Sequence, residues 1–500
     1  MKWILPLCCL VVASGQTTPL GAARFLEQAA FGPTPAEQAR VMQVGYENWL
    51  AEQFAMPETP IPMPTGDIRQ GAQFLHRLVH APDQLRQKVL YTLSGFIVVS
   101  ANKNPYPEET VPYLQILSRH AFGNYRDLLH EITLSPQMGH YLDLANSAKP
   151  GMGGGANENY ARELMQLFSI GLHQLNPDGT QALPDGTQAL DDAGLPIPAY
   201  TQDTIRQVAL ALTGWTYATA PGQTPREFNW NYFARPMEPR EQNHDTTAKS
   251  FLGCSLPSGQ TAAQDLDGVI DCVFLHPNAA PFIATRFIRA MVTSNPSPAY
   301  VARVAAAFAD NGAGVRGDLR AVTRAVLVDP EARADSAPVE SGKLKEPVYY
   351  FASLARALNG RVAPENQEDW MLGLMGQRLL AAPTVFGFYS PLYKLPGGQL
   401  YGPEFQIFTP TESVLRDNEL YSILENRDAN FRVDLSPFLS AAGDIPQLID
   451  AVDARLLYGR MPPEMRAVLQ RALAPAYDDA QRVQTALYLT AMSGFYNVQY

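Results

Sequence analysis

The run Asn157-Glu158-Asn159-Tyr160-Ala161-Arg162-Glu163-Leu164-Met165-Gln166-Leu167-Phe168-Ser169-Ile170-Gly171 decides how the rest of the chain is read. At about 100° per residue, Tyr160, Ala161, Leu164, Leu167 and Phe168 fall on one helical face, and Gly171 closes the helix. The opposite arc carries Glu158, Arg162, Gln166 and Ser169. Asn157 reads as the N-cap, because its side-chain oxygen can accept from a free first-turn N–H. Glu158 stands at the positive end of the helix dipole and one turn before Arg162, the favourable order for an ion pair. Glu163 borders the apolar stripe near Tyr160 and Leu167, where burial raises a carboxyl pKa. The two glutamates lie roughly 140° apart around a 3.6-residue helix. A second catalytic group must therefore come from another element.

Outward from this stretch the period stays helical. Upstream it runs over Leu20–Phe31, Pro35–Phe54, Ile68–His80, Asp83–Ser100, Val111–His120, Tyr125–Leu134 and Pro136–Leu144. Downstream it runs over Gln202–Leu212, Ala263–Leu275, Ala279–Met291, Pro298–Asp310, Leu319–Val328, Glu346–Leu358 and Asp369–Leu380. It ends with Val414–Leu424, Ile445–Leu457, Pro463–Leu473 and Ala480–Met492. The expected fold is all-α: a large single-domain helical array over 16–500, in one body or two lobes, with at most a small β-hairpin insertion. Irregular insertions are expected near 172–200, 216–262 and 389–412. The first holds a seven-residue echo beginning at Asp178 and again at Asp185, whose Asp-Gly pairs predict a hairpin over the site. The second holds Tyr217, Phe228, Trp230, Tyr232 and Phe233 ahead of His244-Asp245. Long aromatic loops of this kind either pin themselves to a core or contact ligand.

The central run, followed by Tyr200-Thr201-Gln202 and Thr213-Gly214-Trp215, resembles the bacterial "domain of unknown function 1800" family. The likeness includes Ala22-Ala23-Arg24-Phe25-Leu26 with Phe31-Gly32, and Thr133-Leu134-Ser135-Pro136 through Asp143. It continues at His244-Asp245, at Lys343-Leu344-Lys345-Glu346-Pro347 and at Gly376-Gln377. The resemblance implies a secreted or cell-envelope bacterial protein, often encoded beside a sulfatase-like companion. It carries no agreed reaction. Many members have a Trp-His pair near the position of Leu93-Ser94, and no mechanism that needs that histidine transfers to this chain.

Composition sets the compartment and excludes some partners. With 500 residues and 46% hydrophobic content the chain can bury a substantial core. A formal charge of −11 argues against nucleic acid and anionic membrane as partners. Met1-Lys2, the apolar run Trp3 to Val12 and the small residues Ala13-Ser14-Gly15 read as a signal peptide over 1–15. That run is too short to span a bilayer and no later segment qualifies. Its removal takes Cys8 and Cys9, leaving Cys254 and Cys272 as an expected disulfide in an oxidising compartment.

The chemistry follows from what remains. No G-x-S-x-G elbow, Walker loop, dinucleotide fingerprint or H-E-x-x-H is present. His76 and His80 have metal-binding spacing but no third ligand nearby. Asp178, Asp185, Asp191 and Asp192 have the oxygen chemistry for calcium without the EF-hand spacing, so no metal or other cofactor is expected. Carboxylates, amides and loop aromatics suit acid/base hydrolysis of a neutral or basic polymer, best a polysaccharide or glycoconjugate. On this reading Glu163 is the raised-pKa acid, and Asp143, Asp203 or Asp245 supplies the second carboxylate, with His244 beside them. Arg162 orients Glu158. Asn157, Asn159, Gln166, Trp215, Trp230 and Gln377 are the expected substrate contacts. Two other classes remain open: a non-enzymatic envelope scaffold or partner of the sulfatase-like companion, and a metal-dependent hydrolase using His244, Asp245 and buried glutamates.

Overall fold

The computed structural model describes residues 17–65, 69–151, 155–181, 196–334, 341–366, 368–475 and 478–500. The expected signal peptide, residues 152–154 just ahead of the central run and most of the Asp-Gly echo, with Asp185, Asp191 and Asp192, lie outside them. Several helices start where a side-chain oxygen closes the first turn. Thr18 accepts from Gly21 N, Thr34 from Glu37 N, Ser135 from Met138 N and Ser297 from Tyr300 N. At each of these caps proline stands in the first turn, where its missing N–H costs nothing. Residues in helix make up 54%, so the fold is mostly α. One apolar cluster runs through these helices from Ala22 to Tyr496.

The β content differs from the expectation of at most one hairpin. Four two-stranded antiparallel ladders are present among the described residues. Trp215–Thr216 pairs with Glu238–Pro239, Lys343–Leu344 with Val498–Gln499, and Arg361–Val362 with Phe431–Arg432. Each of these three joins two-residue segments distant in sequence, too short to show a period of two. Only Lys249–Phe251 with Cys254–Leu256 is a hairpin, turned by Leu252 at φ 50° and Gly253 at φ 79°. The Cys254–Cys272 disulfide ties that hairpin to the Ala262–Leu275 helix.

The central run is helical but not uniformly α. Asn157 Oδ1 accepts from Asn159 N at 2.9 Å, an α-helix spans Asn159–Glu163, and a π-helix follows over Leu164–Ser169. Tyr160, Ala161, Leu164, Leu167 and Phe168 are all buried, as the period requires. Ser169 is not on the outer arc. The wider turn carries it inward, and its hydroxyl donates to Leu164 O at 2.6 Å. The run packs against the Gln202–Ala211 helix, whose Thr201 and Thr204 form a capping box.

His76 and His80 serve the fold. His76 Nδ1 lies 2.6 Å from Val362 O and His80 Nε2 accepts from Val362 N at 3.0 Å, so the pair pins one short strand.

Candidate functional site

A polar cleft of about 540 Å³ opens where three segments meet. The first is the Pro136–Tyr141 helix and the turn after it, the second the approach to the central helix at 155–158, the third Tyr217. Asp143 (φ 58°) and Asn146 (φ 66°) reverse the chain after Tyr141, in a backbone region that Asp and Asn tolerate better than most residues. Asn146 N donates to Trp215 O at 2.7 Å, and Asn146 Oδ1 accepts from Thr216 Oγ1. Ser147 O accepts from Gly214 N at 2.8 Å and its Oγ accepts from Asn157 N at 3.0 Å. These bonds hold the aromatic loop and the central helix on opposite sides of one turn.

Within the cleft His140 is held by a carboxylate from another helix. Its Nδ1 lies 3.0 Å from Oε2 of Glu109, a buried carboxyl from the first turn of the Pro107–His120 helix. Its Nε2 has no hydrogen-bond partner among the described residues. Burial pushes the Glu109 carboxyl up, and the bond from His140 pulls it part of the way back. The His140 ring packs on Phe233, 5.7 Å between centroids, and Phe233 packs in turn on Tyr217 at 5.8 Å. Burial raises the Tyr217 hydroxyl pKa, and the nearby Glu109 and Asp143 charges raise it further. Asp143 accepts from Lys103 Nζ at 2.6 Å and from Asn159 Nδ2 at 3.2 Å. Glu158 accepts from Gln202 Nε2 at 2.7 Å and pairs with Arg162 at 3.4 Å and Arg206 at 3.8 Å.

A sequence profile of the family described as Protein of unknown function (DUF1800) matches residues 24–498. The chain belongs to that family. No curated protein and no solved structure matches it.

The stretches that carry the DUF1800 likeness meet in two places. Residues 133–143 and 157–163 converge on the cleft, bringing Asp143, Asn157 and Glu158 to its wall with Asn159 and Arg162 as their partners. Residues 343–347 and 376–377 converge elsewhere. There Gln377, buried, donates to Glu346 Oε2 at 2.6 Å and to Tyr91 OH at 3.1 Å while accepting from Val348 N.

The other expected site residues are not among the described residues lining the cleft. Glu163 is buried, its Oε2 without a partner, and burial raises its carboxyl against the opposing charge of Arg162. Its neighbours Tyr141 and Tyr200 are both pushed up to about 12, by burial and then by the Glu163 charge. Gln166 accepts from Tyr200 OH at 3.3 Å and lines a separate cavity. Asp203 is exposed in the first turn of its helix. His244 is fully buried, with Nδ1 2.9 Å from Thr213 O and Nε2 3.2 Å from Asp265. Burial works to raise the Asp245 carboxyl, but hydrogen bonds from Thr247 and the Lys249 charge outweigh it and hold it low. Trp215 is buried and Trp230 is 70% exposed under the Arg226 guanidinium, 4.0 Å away.

Sequence reasoning missed His140 and Glu109. The one local signal was His140 and Asp143 at i and i+3 after a Ser-Pro helix start. Among the described residues no three His, Cys, Asp or Glu side chains are grouped to hold a metal ion.

Proposed function

We propose that this DUF1800 protein is an exported hydrolase of a polysaccharide or glycoconjugate, with His140 as its proton carrier. The observation that supports the reading is the Glu109–His140 pair at the wall of an open polar cleft, with Nδ1 held and Nε2 without a partner among the described residues. A base oriented by a buried carboxylate is the recurrent arrangement for activating a weak nucleophile. In the proposed step Nε2 takes a proton from water as the water oxygen displaces the leaving oxygen at the glycosidic carbon. The bond to the leaving oxygen breaks, and that oxygen takes the proton back from the imidazolium. Glu109 stabilises the imidazolium while it exists. Asp143 and Glu158 stand where positive character on the substrate is stabilised, and Asn157 and Asn159 offer amides to hydroxyl groups. The Cys254–Cys272 bond supports export, because such bonds persist in oxidising compartments.

The test is turnover of a panel of neutral and basic glycans by the full chain and by His140→Asn. The reading expects cleavage of at least one glycan, and a fall of roughly a hundredfold or more in His140→Asn with an unchanged melting temperature. No cleavage across the panel by the wild-type chain, or full activity in His140→Asn, would overturn it in favour of a non-enzymatic envelope partner.

A further inference from the structure

The Ala279–Met291 helix places two guanidiniums, Arg286 and Arg289, one turn apart on the wall of a second cavity of about 550 Å³. Like charges at this spacing repel, so their retention calls for compensation. Arg289 lies over the Tyr401 ring at 4.2 Å, with the Tyr401 hydroxyl and Glu404 offsetting part of its burial. Arg286 has less. It sits 5.4 Å from the Phe96 ring centroid and 5.6 Å from that of Phe282, and makes no hydrogen bond or ion pair with any described residue. The Nε atoms of both arginines are buried without a partner. Burial and the Arg289 charge bring the Arg286 pKa down to about 10, so it remains a cation at neutral pH.

The nearest acidic groups are already occupied. A smaller cavity of about 130 Å³ shares Arg286, Arg289, Phe386 and Pro391 as a common wall. In it Glu404 is paired with Lys343 at 3.2 Å, and Glu346 accepts from Gln377 and from Tyr389 OH at 2.6 Å. No acidic side chain among the described residues lines the larger cavity.

Gln166, His173, Thr180, Gln181, Thr285 and Tyr401 add neutral polar groups to the larger cavity, while part of its rim is apolar. Leu172, Phe386 and Leu392 are left 40%, 41% and 55% exposed there, with Phe282 beneath them. Both guanidiniums are half-buried, but each has a buried Nε without a partner, and buried polar groups are otherwise nearly always satisfied. A volume of this size holds a small organic molecule rather than a bare ion.

We propose that this cavity is a binding site for a small organic anion, a carboxylate or sulfonate on an apolar body. The anionic head sits between Arg286 and Arg289, and the body lies along Phe282, Leu172, Phe386 and Leu392. The site is independent of the His140 cleft.

Isothermal titration of the full chain with octanoate, octan-1-ol and octylamine tests it. The expected result is octanoate binding at least about tenfold tighter than octanol, about 1.4 kcal/mol, with octylamine weakest. Arg286→Met should reduce the octanoate preference to the part that Arg289 alone supplies while leaving octanol binding unchanged, and Arg286→Lys should retain more of the preference. The wild-type ligand comparison stands even if a variant fails to fold. Equal binding of octanoate and octanol, undiminished octanoate binding in Arg286→Met, or no binding of octanoate at millimolar concentration would each overturn the proposal.

Discussion

Replacing Asp265 by asparagine tests the reading of His244 as part of a buried structural cluster. Asp265 sits in the first turn of the Ala262–Leu275 helix, and its side chain is 1% exposed. It lies 2.8 Å from Lys249 Nζ, also 1% exposed, and 3.2 Å from Nε2 of the fully buried His244. Lys249 also donates to Thr247 O at 2.9 Å and to Asp245 O, and its Nζ stands 3.4 Å from the Asp245 carboxylate. The Asp265→Asn substitution keeps the size of the side chain and removes its charge. Breaking one side of a buried pair costs about 3–5 kcal/mol, because the other charge is left without compensation. Asp245 still faces Lys249, so the loss should sit near the lower end, about 3 kcal/mol. Urea unfolding of the full chain, followed by far-UV circular dichroism, reads this as a lower midpoint. A Lys249→Met/Asp265→Leu double variant removes both charges and should lose less than Asp265→Asn alone. An unchanged midpoint in Asp265→Asn, or a double variant as damaged as the single, would refute the reasoning. Under the proposed function, glycan cleavage per folded molecule should survive both changes.

Two further outcomes follow from burial and chain connectivity. Burial raises the folded-state pKa of Glu163, so the native chain holds that proton more tightly than the unfolded chain, whose carboxyl titrates at about 4.3. Native stability from this group is therefore greatest below about 4.3 and is lost as pH rises through the folded-state pKa. Glu163→Gln should gain melting temperature relative to wild type between pH 4 and pH 7; a constant difference across that range would count against it. Opening the Cys254–Cys272 bond, by Cys254→Ser with Cys272→Ser, releases a loop with a sequence separation of 18. Chain entropy puts the loss at about 3 kcal/mol, and an unshifted urea midpoint would show that the hairpin holds itself without the bond.

Much of the helical array was legible because long amphipathic segments advertise their period and their caps. Tyr125–Leu134, Ala279–Met291, Leu319–Val328 and Pro463–Leu473 begin and end where the pattern places them, the first and third with a side-chain cap as well. The departures have local causes. Pro35–Ala55 is interrupted at Gly45, whose φ of 79° no helix contains. The helix expected to reach Ser100 stops at Ser94, before Gly95. In the central run the π turn adds a residue to one turn, and every position after it rotates relative to a 3.6-residue wheel. Ser169 was drawn on the wet face for that reason and is buried. Three ladders were invisible because a two-residue strand has no pattern; its partner is chosen by the packing of helices far away in sequence.

The cleft was legible in part, and the division has a physical reason. Asp143, Asn157, Glu158 and their partners Asn159 and Arg162 lie in short stretches whose polar density is visible locally, and they meet. His140 was passed over because its carboxylate is 31 residues upstream, on a helix that reads as ordinary. His244-Asp245 drew attention because the two residues are adjacent, yet adjacency in an extended segment directs side chains apart. His244 turns to Thr213 and Asp265, Asp245 to Thr247 and Lys249. Glu163 shows the same limit from the other side. Its position beside the apolar stripe correctly implied burial and a raised carboxyl, but burial is what a structural carboxyl and a catalytic acid have in common. What distinguishes them is access from a cleft together with a partner that leaves one reactive atom unsatisfied. His140 is the group for which the proposed function invokes both: it lines the cleft, Glu109 lies against its Nδ1, and its Nε2 has no partner among the described residues.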